Sequence, residues 1–180
     1  MLWQRTTLKN LALKIRDLDR SLFRALFRIK WTPLTPLMRA FTLAGKAGAL
    51  WGVISFLAFL MTGFEPYNLL MPWAAVATSW FIAEGAKYLF DRARPFISDT
   101  GIAPLTKTPS SSSFPSGHSA TAAAGALALS VVYPAFAPLL LLSGGLVAFS
   151  RVYLGVHYPF DVLAGLLIGT ATTAVILALA

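Results

Sequence analysis

The sequence predicts an all-α protein, a polytopic membrane helix bundle of about five transmembrane helices preceded by an N-terminal amphipathic helix on the bilayer surface. Three observations carry that prediction. The chain is 57% hydrophobic and 12% charged, with a mean hydropathy of +0.68, which is far more apolar than a soluble globular domain. Five apolar stretches follow one another, each at or near the ~20 residues a helix needs to cross the hydrocarbon core. The charge is lopsided: eight of the fifteen Lys and Arg residues lie in residues 1–30, in a chain of net charge +8. A length of 180 residues bounds the chain at one domain. The absence of cysteine excludes disulfides and thiolate metal sites and leaves the compartment open.

The first element in chain order is the basic segment, residues 1–32. Arg5, Lys9, Lys14, Arg16, Arg20, Arg24, Arg28 and Lys30 are opposed only by Asp17 and Asp19. Apolar residues recur at Leu8, Leu11, Ile15, Leu18, Leu22, Leu26 and Ile29, which is helical spacing with cations on the remaining face. So charged a helix cannot span a bilayer, and it reads as an amphipathic helix lying on an anionic lipid surface. A solvated helix packed on its own domain is the alternative. Apolar spans follow at once, which argues against a nucleic-acid partner. No uncharged apolar run follows the first basic residues, so a cleavable signal peptide does not fit.

Residues 33–180 are expected to form the membrane domain. Its spans are predicted at residues 43–62, 69–90, 119–133, 137–149 and 162–180. Short turns with helix-stopping prolines, Gly63-Phe64-Glu65-Pro66 and Pro134-Ala135-Phe136-Ala137-Pro138, join the first pair and the third to the fourth. The long connection, residues 92–114, is rich in Pro, Ser and Thr and reads as a mobile rim over a site. With five crossings, three polar clusters reach the same membrane face: residues 87–95, 115–118 and 150–161. The opposite face carries no Lys or Arg, only Glu65.

Both histidines of the chain lie in these clusters. His157 and Asp161 are four apart, a spacing that puts both on one helical face, where the carboxylate can hold one imidazole nitrogen as donor and leave the other lone pair free. Ser150 and Arg151 precede them. Pro115-Ser116-Gly117-His118 reads as a helix start, with Ser116 as N-cap, Gly117 allowing close backbone approach, and free N–H groups suited to phosphate oxygens. His118, in the first turn, can donate a proton. Lys87 and Arg94 are seven apart, on one stripe of a helix that Pro95 would stop, and two such cations suit a phosphate dianion. Asp91 and Arg92 read as interface charges, and Glu84 as a partner for Lys87. Singly, each cluster fits ordinary helix caps and surface contacts. Together they supply two imidazoles, three fixed cations and a carboxylate at headgroup depth, the parts needed to move a phosphoryl group.

In order, the clusters specify Lys-x6-Arg-Pro, Pro-Ser-Gly-His and Ser-Arg-x5-His-x3-Asp. This pattern resembles the type-2 phosphatidic acid phosphatase, or lipid phosphate phosphatase, superfamily, over roughly residues 87–161. The resemblance implies a nucleophilic His157 that forms a phosphohistidine, with Asp161 orienting it and His118 protonating the leaving group and then activating water. It implies that Lys87, Arg94, Arg151, Ser116 and the Gly117 N–H hold the phosphate oxygens, and that neither metal nor other cofactor is required. A cage of cations can replace magnesium, because phosphoryl transfer is mainly positioning and charge stabilisation.

The expected substrate is a lipid phosphomonoester or diphosphate, of the phosphatidic acid, phosphatidylglycerophosphate, undecaprenyl diphosphate or lipid A 1-phosphate class. A phosphotransferase using a lipid or sugar acceptor and a non-catalytic lipid-binding membrane protein are the competing readings. Many membrane members of the superfamily have six spans, whereas here an amphipathic helix stands where a first span would be. The positive-inside bias would then put the site on the cytoplasmic face. Catalytic cations inflate that count, and the resemblance implies the outer, periplasmic face of the cytoplasmic membrane, which is the expectation adopted.

Overall fold

The computed structural model describes the backbone of residues 2–28 and 30–180 and the side chains of 10–28 and 30–180. The side chains of Arg5, Leu8, Lys9 and Ile29, named above, lie outside the described residues. Among the described residues the chain forms eight α-helices and no strand: α1 (Leu2–Arg28), α2 (Thr35–Ala44), α3 (Ala49–Met61), α4 (Pro66–Ala86), α5 (Pro95–Ser98), α6 (Gly117–Val132), α7 (Ala137–Tyr153) and α8 (Pro159–Leu179).

Proline starts most of them. Pro36, Pro66, Pro95, Pro138 and Pro159 each occupy one of the first two helical positions, where a missing N–H costs nothing. Pro95 therefore begins α5 rather than ending a helix that carries Lys87 and Arg94. The expected first span is also not continuous. The helix breaks at residues 45–48, where Gly48 takes φ +77°, a backbone state that glycine adopts without Cβ strain. α2 and α3 meet there at 53°.

By length and composition, Pro134–Tyr153 and Pro159–Leu179 can each cross a membrane, and the bent pair Thr32–Ala44 and Lys46–Met61 can do so as one broken span. The two remaining bundle helices are the 21-residue α4 and the 16-residue α6. α4, α6, α7 and α8 fall on the last four apolar stretches expected, and α3 on most of the first, which the bent pair extends back to Thr32.

The core is built around α6, which packs against α4, α7 and α8. Its sequence is dominated by small residues, with Ala120, Ala122, Ala124, Ala126 and Ala128 all buried. Without long side chains, neighbouring backbones come close, which is how membrane helices gain packing energy where the surrounding lipid is equally apolar. α8 meets α6 through Gly165 and Gly169: a Cβ on Gly165 would strike Ser119 Cβ at 2.9 Å, and one on Gly169 would strike Ala123 Cβ at 2.9 Å. α7 presents Gly144 to Ala126 in the same way. Adding a methyl at any of the three forces helices apart, at a cost of about 1–3 kcal/mol. On the other side, Trp51 of α3 lies fully buried over Gly125. α1 docks through Phe23, which packs with Ala148, Val152, Tyr158 and Val162.

Candidate active site

α4, α6, α7 and α8 all deliver their polar ends to one end of the bundle. Ser116 caps α6 as expected, accepting from the Ser119 N–H at 3.4 Å and from the Ser119 hydroxyl at 2.8 Å. Gly117 is needed for close approach, since a Cβ there would lie 2.7 Å from Glu84 Oε1 and 3.9 Å from Lys87 Nζ. Lys87 donates to Glu84 at 2.6 Å, the partner expected for it. Lys87 stands just past the end of α4 and Arg94 just before α5, so two elements rather than one helical stripe aim these cations.

His157 does not lie on the helix that carries Asp161. It sits in the turn between α7 and α8, and Tyr158 is the N-cap of α8. The imidazole is 2% exposed. Its Nδ1 donates to the Ser113 carbonyl at 2.7 Å, while Asp161 Oδ2 stands 3.7 Å away. The expected direct Asp161–His157 hydrogen bond is thus replaced by one through Ser113: the Ser113 hydroxyl donates to Asp161 Oδ2 at 2.6 Å, and its carbonyl holds the ring. Asp161 Oδ2 also accepts the Tyr158 N–H at 2.8 Å, which fixes the turn preceding α8. The reason is geometric, because residue 157 precedes the helix and the four-residue helical spacing does not apply.

With Nδ1 as donor, Nε2 carries the lone pair, and Arg94 Nη1 donates to it at 3.1 Å. The other Arg94 donors go to the carbonyls of Ser111, Val156 and Ser112 and to the Ser111 hydroxyl. Burial, followed by the charges of Arg151, Arg94 and Lys87, holds His157 well below the ordinary histidine range, so the imidazole is neutral at physiological pH. Burial also draws the Arg94 guanidinium down to about 10, against the opposing charges of Asp161 and Glu84; it stays a cation.

Arg151, 4% exposed, donates to the hydroxyl of Thr42 on α2. Its Nε is buried and meets no acceptor among the described residues. A buried, unpaired guanidinium N–H is costly unless an anion completes it. His118 is half-buried in the first turn of α6, with Arg151, Lys87 and the His157 ring nearby and the Thr42 main chain beside it. The structure therefore brings together all eight residues singled out in the sequence. Among the described residues no three His, Asp or Glu side chains converge to hold a metal ion.

Four contributors escaped the sequence reading. Ser113 and Thr42 gave no signal beyond being hydroxyls. Arg92 is no stray interface charge: it donates to Asp161 Oδ1 at 2.6 Å and to Asp19 Oδ2 at 2.5 Å. Asp19 is fully buried, and its one trace in the sequence is an acid within a basic helix. The loop expected as a mobile rim is tied down, by Leu105 N–H to the Leu154 carbonyl at 3.0 Å, by Arg39 to the Leu105 carbonyl at 2.6 Å, and by its contacts with Arg94.

The chain matches the family model described as "PAP2 superfamily" over residues 68–180. It is 33% identical over 141 residues to an undecaprenyl-diphosphatase of Sulfolobus acidocaldarius, an alignment covering 78% of this chain and 58% of that protein. The chain spans about half the length of the curated relatives it matches. Among solved structures it resembles the transmembrane PAP2-type phosphatidylglycerolphosphate phosphatase from Bacillus subtilis, with 27% identity, a TM-score of 0.72, and 92% of this chain and 86% of that one covered. It resembles Aquifex aeolicus LpxE similarly, with 26% identity, a TM-score of 0.72, and coverage of 88% and 93%.

Proposed function

The chain belongs to the PAP2 superfamily, and from that premise we propose that it is an integral-membrane lipid phosphatase acting on a lipid phosphomonoester or diphosphate. One observation carries the reading: the lone pair of a buried neutral imidazole, His157 Nε2, faces Arg94 at 3.1 Å, next to an Arg151 whose buried Nε meets no acceptor among the described residues. A phosphate bound there satisfies that N–H and lies against Nε2.

In the proposed reaction His157 Nε2 attacks phosphorus as the bond to the leaving oxygen breaks, and His118 gives that oxygen a proton. Arg94, Arg151 and Lys87, with Ser116 and the Gly117 N–H at the start of α6, hold the phosphoryl oxygens as charge redistributes. His118, now deprotonated, takes a proton from water, and the resulting hydroxide cleaves the P–N bond to release phosphate. Asp161 keeps the ring in the Nδ1–H tautomer through Ser113.

An apolar groove of about 680 Å³ between α3 and α4, walled by Gly52, Phe56, Trp73, Val76 and Trp80, suits the substrate's acyl or prenyl tail. Its lip at Gly48 lies beside Thr121, 3.7 Å from the position of a Gly48 Cβ and one helical turn from His118. The exposed Leu11, Ile15, Leu18 and Leu22 of α1, with its cations, rest on the anionic surface of the same membrane face. We assign the site to the outer face of the cytoplasmic membrane.

The test is phosphate release from a panel of phosphatidic acid, phosphatidylglycerophosphate, undecaprenyl diphosphate and lipid A 1-phosphate, with and without EDTA. Turnover of at least one, unchanged by the chelator and abolished by His157→Gln, is expected. Retained turnover in His157→Gln refutes the nucleophile.

A further inference from the structure

The cluster around Arg92 is separate from the groups proposed to face the phosphate, and of the motif residues it includes only Asp161. The Arg92 guanidinium bridges two buried carboxylates, Asp161 Oδ1 at 2.6 Å on α8 and Asp19 Oδ2 at 2.5 Å on α1. Its plane also lies over the Tyr158 ring, 4.4 Å from the centroid. The second oxygen of Asp19 accepts the Phe160 N–H at 2.9 Å. Asp19 thus holds the first turn of α8 directly and the carboxylate of Asp161 through Arg92.

Aromatic packing from α1 meets the same turn. Phe23 is edge-on to Tyr158, with centroids 5.5 Å apart. A Cβ on Gly155 would lie 3.0 Å from the Phe27 ring, and Gly155 takes φ +78°. Residues 155–160, which carry His157, therefore sit between α1 on one side and Arg94 with Ser113 on the other. Burying two carboxylates around one arginine is costly unless the geometry is well satisfied. Here every oxygen of the pair accepts at least one hydrogen bond.

We infer that Asp19 and Arg92 are positioning residues for the reaction: acting through Asp161 and the Phe160 N–H, they hold the His157 turn in line for attack, so that helix α1 is part of the catalytic assembly. Neither residue touches the substrate. The inference rests on the phosphatase reading for its kinetic consequences, while its geometric content stands apart from them.

The experiment uses the full chain in detergent with whichever lipid phosphate it turns over. Asp19→Asn and Arg92→Gln are each expected to lower kcat at least about tenfold with KM changed by less than about twofold. Single-turnover labelling of His157 should slow by the same factor. In an Arg92→Gln background Asp19→Asn should cost markedly less than it does alone, the signature of residues acting as one unit. Asp19→Glu, which keeps the charge, should recover part of the loss, and it stands in if Asp19→Asn does not fold. An unchanged kcat, or a rise in KM with kcat intact, overturns the inference.

A wild-type chain that releases no phosphate from any substrate would sink the proposed function instead. The clasp is then read by hydrogen exchange: Asp19→Asn should speed exchange of the Phe160 and Asp161 amides at least about tenfold and leave the α6 amides unchanged. Equal protection of those two amides overturns it.

Discussion

Arg94 Nη1 and His157 Nε2 share a hydrogen bond of 3.1 Å, so the cation that should bind phosphate also caps the lone pair that should attack it. All five guanidinium N–H groups already have partners. In the proposed reaction an incoming phosphate oxygen takes over Nη1, and that exchange uncovers Nε2 for attack. Lysine keeps the charge but not the planar fork. Arg94→Lys is expected to cut kcat/KM by about 100-fold or more, roughly 3 kcal/mol of transition-state stabilisation, measured by phosphate release.

Ser113 links Asp161 to the imidazole with a hydroxyl on one side and a carbonyl on the other. Ser113→Ala removes only the hydroxyl. A hydrogen bond to a charged group contributes about 1.5–3 kcal/mol, and part of that should appear as a kcat loss of about tenfold, with Ser113→Thr near wild type. Steady-state kinetics of the two variants checks it; equal losses would show that volume rather than the hydrogen bond matters.

His157 is held neutral in the fold, its affinity for protons lowered chiefly by burial and then by Arg151, Arg94 and Lys87. The unfolded chain's histidine titrates near 6.5. Below that pH the unfolded state binds a proton that the folded state refuses, so stability is full above about pH 6.5 and falls as pH drops, by up to about 1.4 kcal/mol per unit. Unfolding in detergent between pH 7.5 and 5.5 should show this slope, and His157→Gln should lessen it.

Glu84 occupies Lys87 at 2.6 Å and stands against the start of α6 near Gly117. If Lys87 and the α6 N-terminus hold the phosphate as proposed, a carboxylate in that place competes with it for both. Glu84→Gln is expected to lower KM about three- to tenfold, most clearly at low ionic strength, in initial-rate measurements across salt concentrations.

Tyr88 is 93% exposed at the end of α4 that carries Lys87, and the chain has no cysteine of its own. With the site on the outer face, as proposed, Tyr88→Cys in intact cells should react with a membrane-impermeant maleimide. Labelling only after the membrane is breached would move the site to the cytoplasmic face.

The helices that carry the bundle were legible because apolar length and proline placement are local properties. The gathering of the eight candidate residues at one end of the bundle was legible too, because their spacing within three short blocks is specific. Connectivity was not. Helical spacing suggested that Asp161 holds His157 directly, and the two do stand 3.7 Å apart, yet a proline at position 159 starts the helix two residues too late for a shared helical face, and the hydrogen bonds run through Ser113. Arg92 and Asp19, 73 residues apart in the chain, become partners only through folding, and one of two acids among eight cations looks in sequence like mere charge relief. Thr42 was hidden for a similar reason: the break at residues 45–48 swings α2 across the site, and periodicity cannot report a bend.

The two glycines where α8 lies on α6 have a consequence far from where they sit. α6 carries His118 at its start, and α8 begins two residues after His157. Because Gly165 and Gly169 let the two main chains touch, the distance between the proposed proton donor and the proposed attacking ring is gauged by backbone rather than by adjustable side chains. These buried glycines act as a ruler for the chemistry, and a single methyl added to either would miscalibrate it without altering any group that the substrate meets.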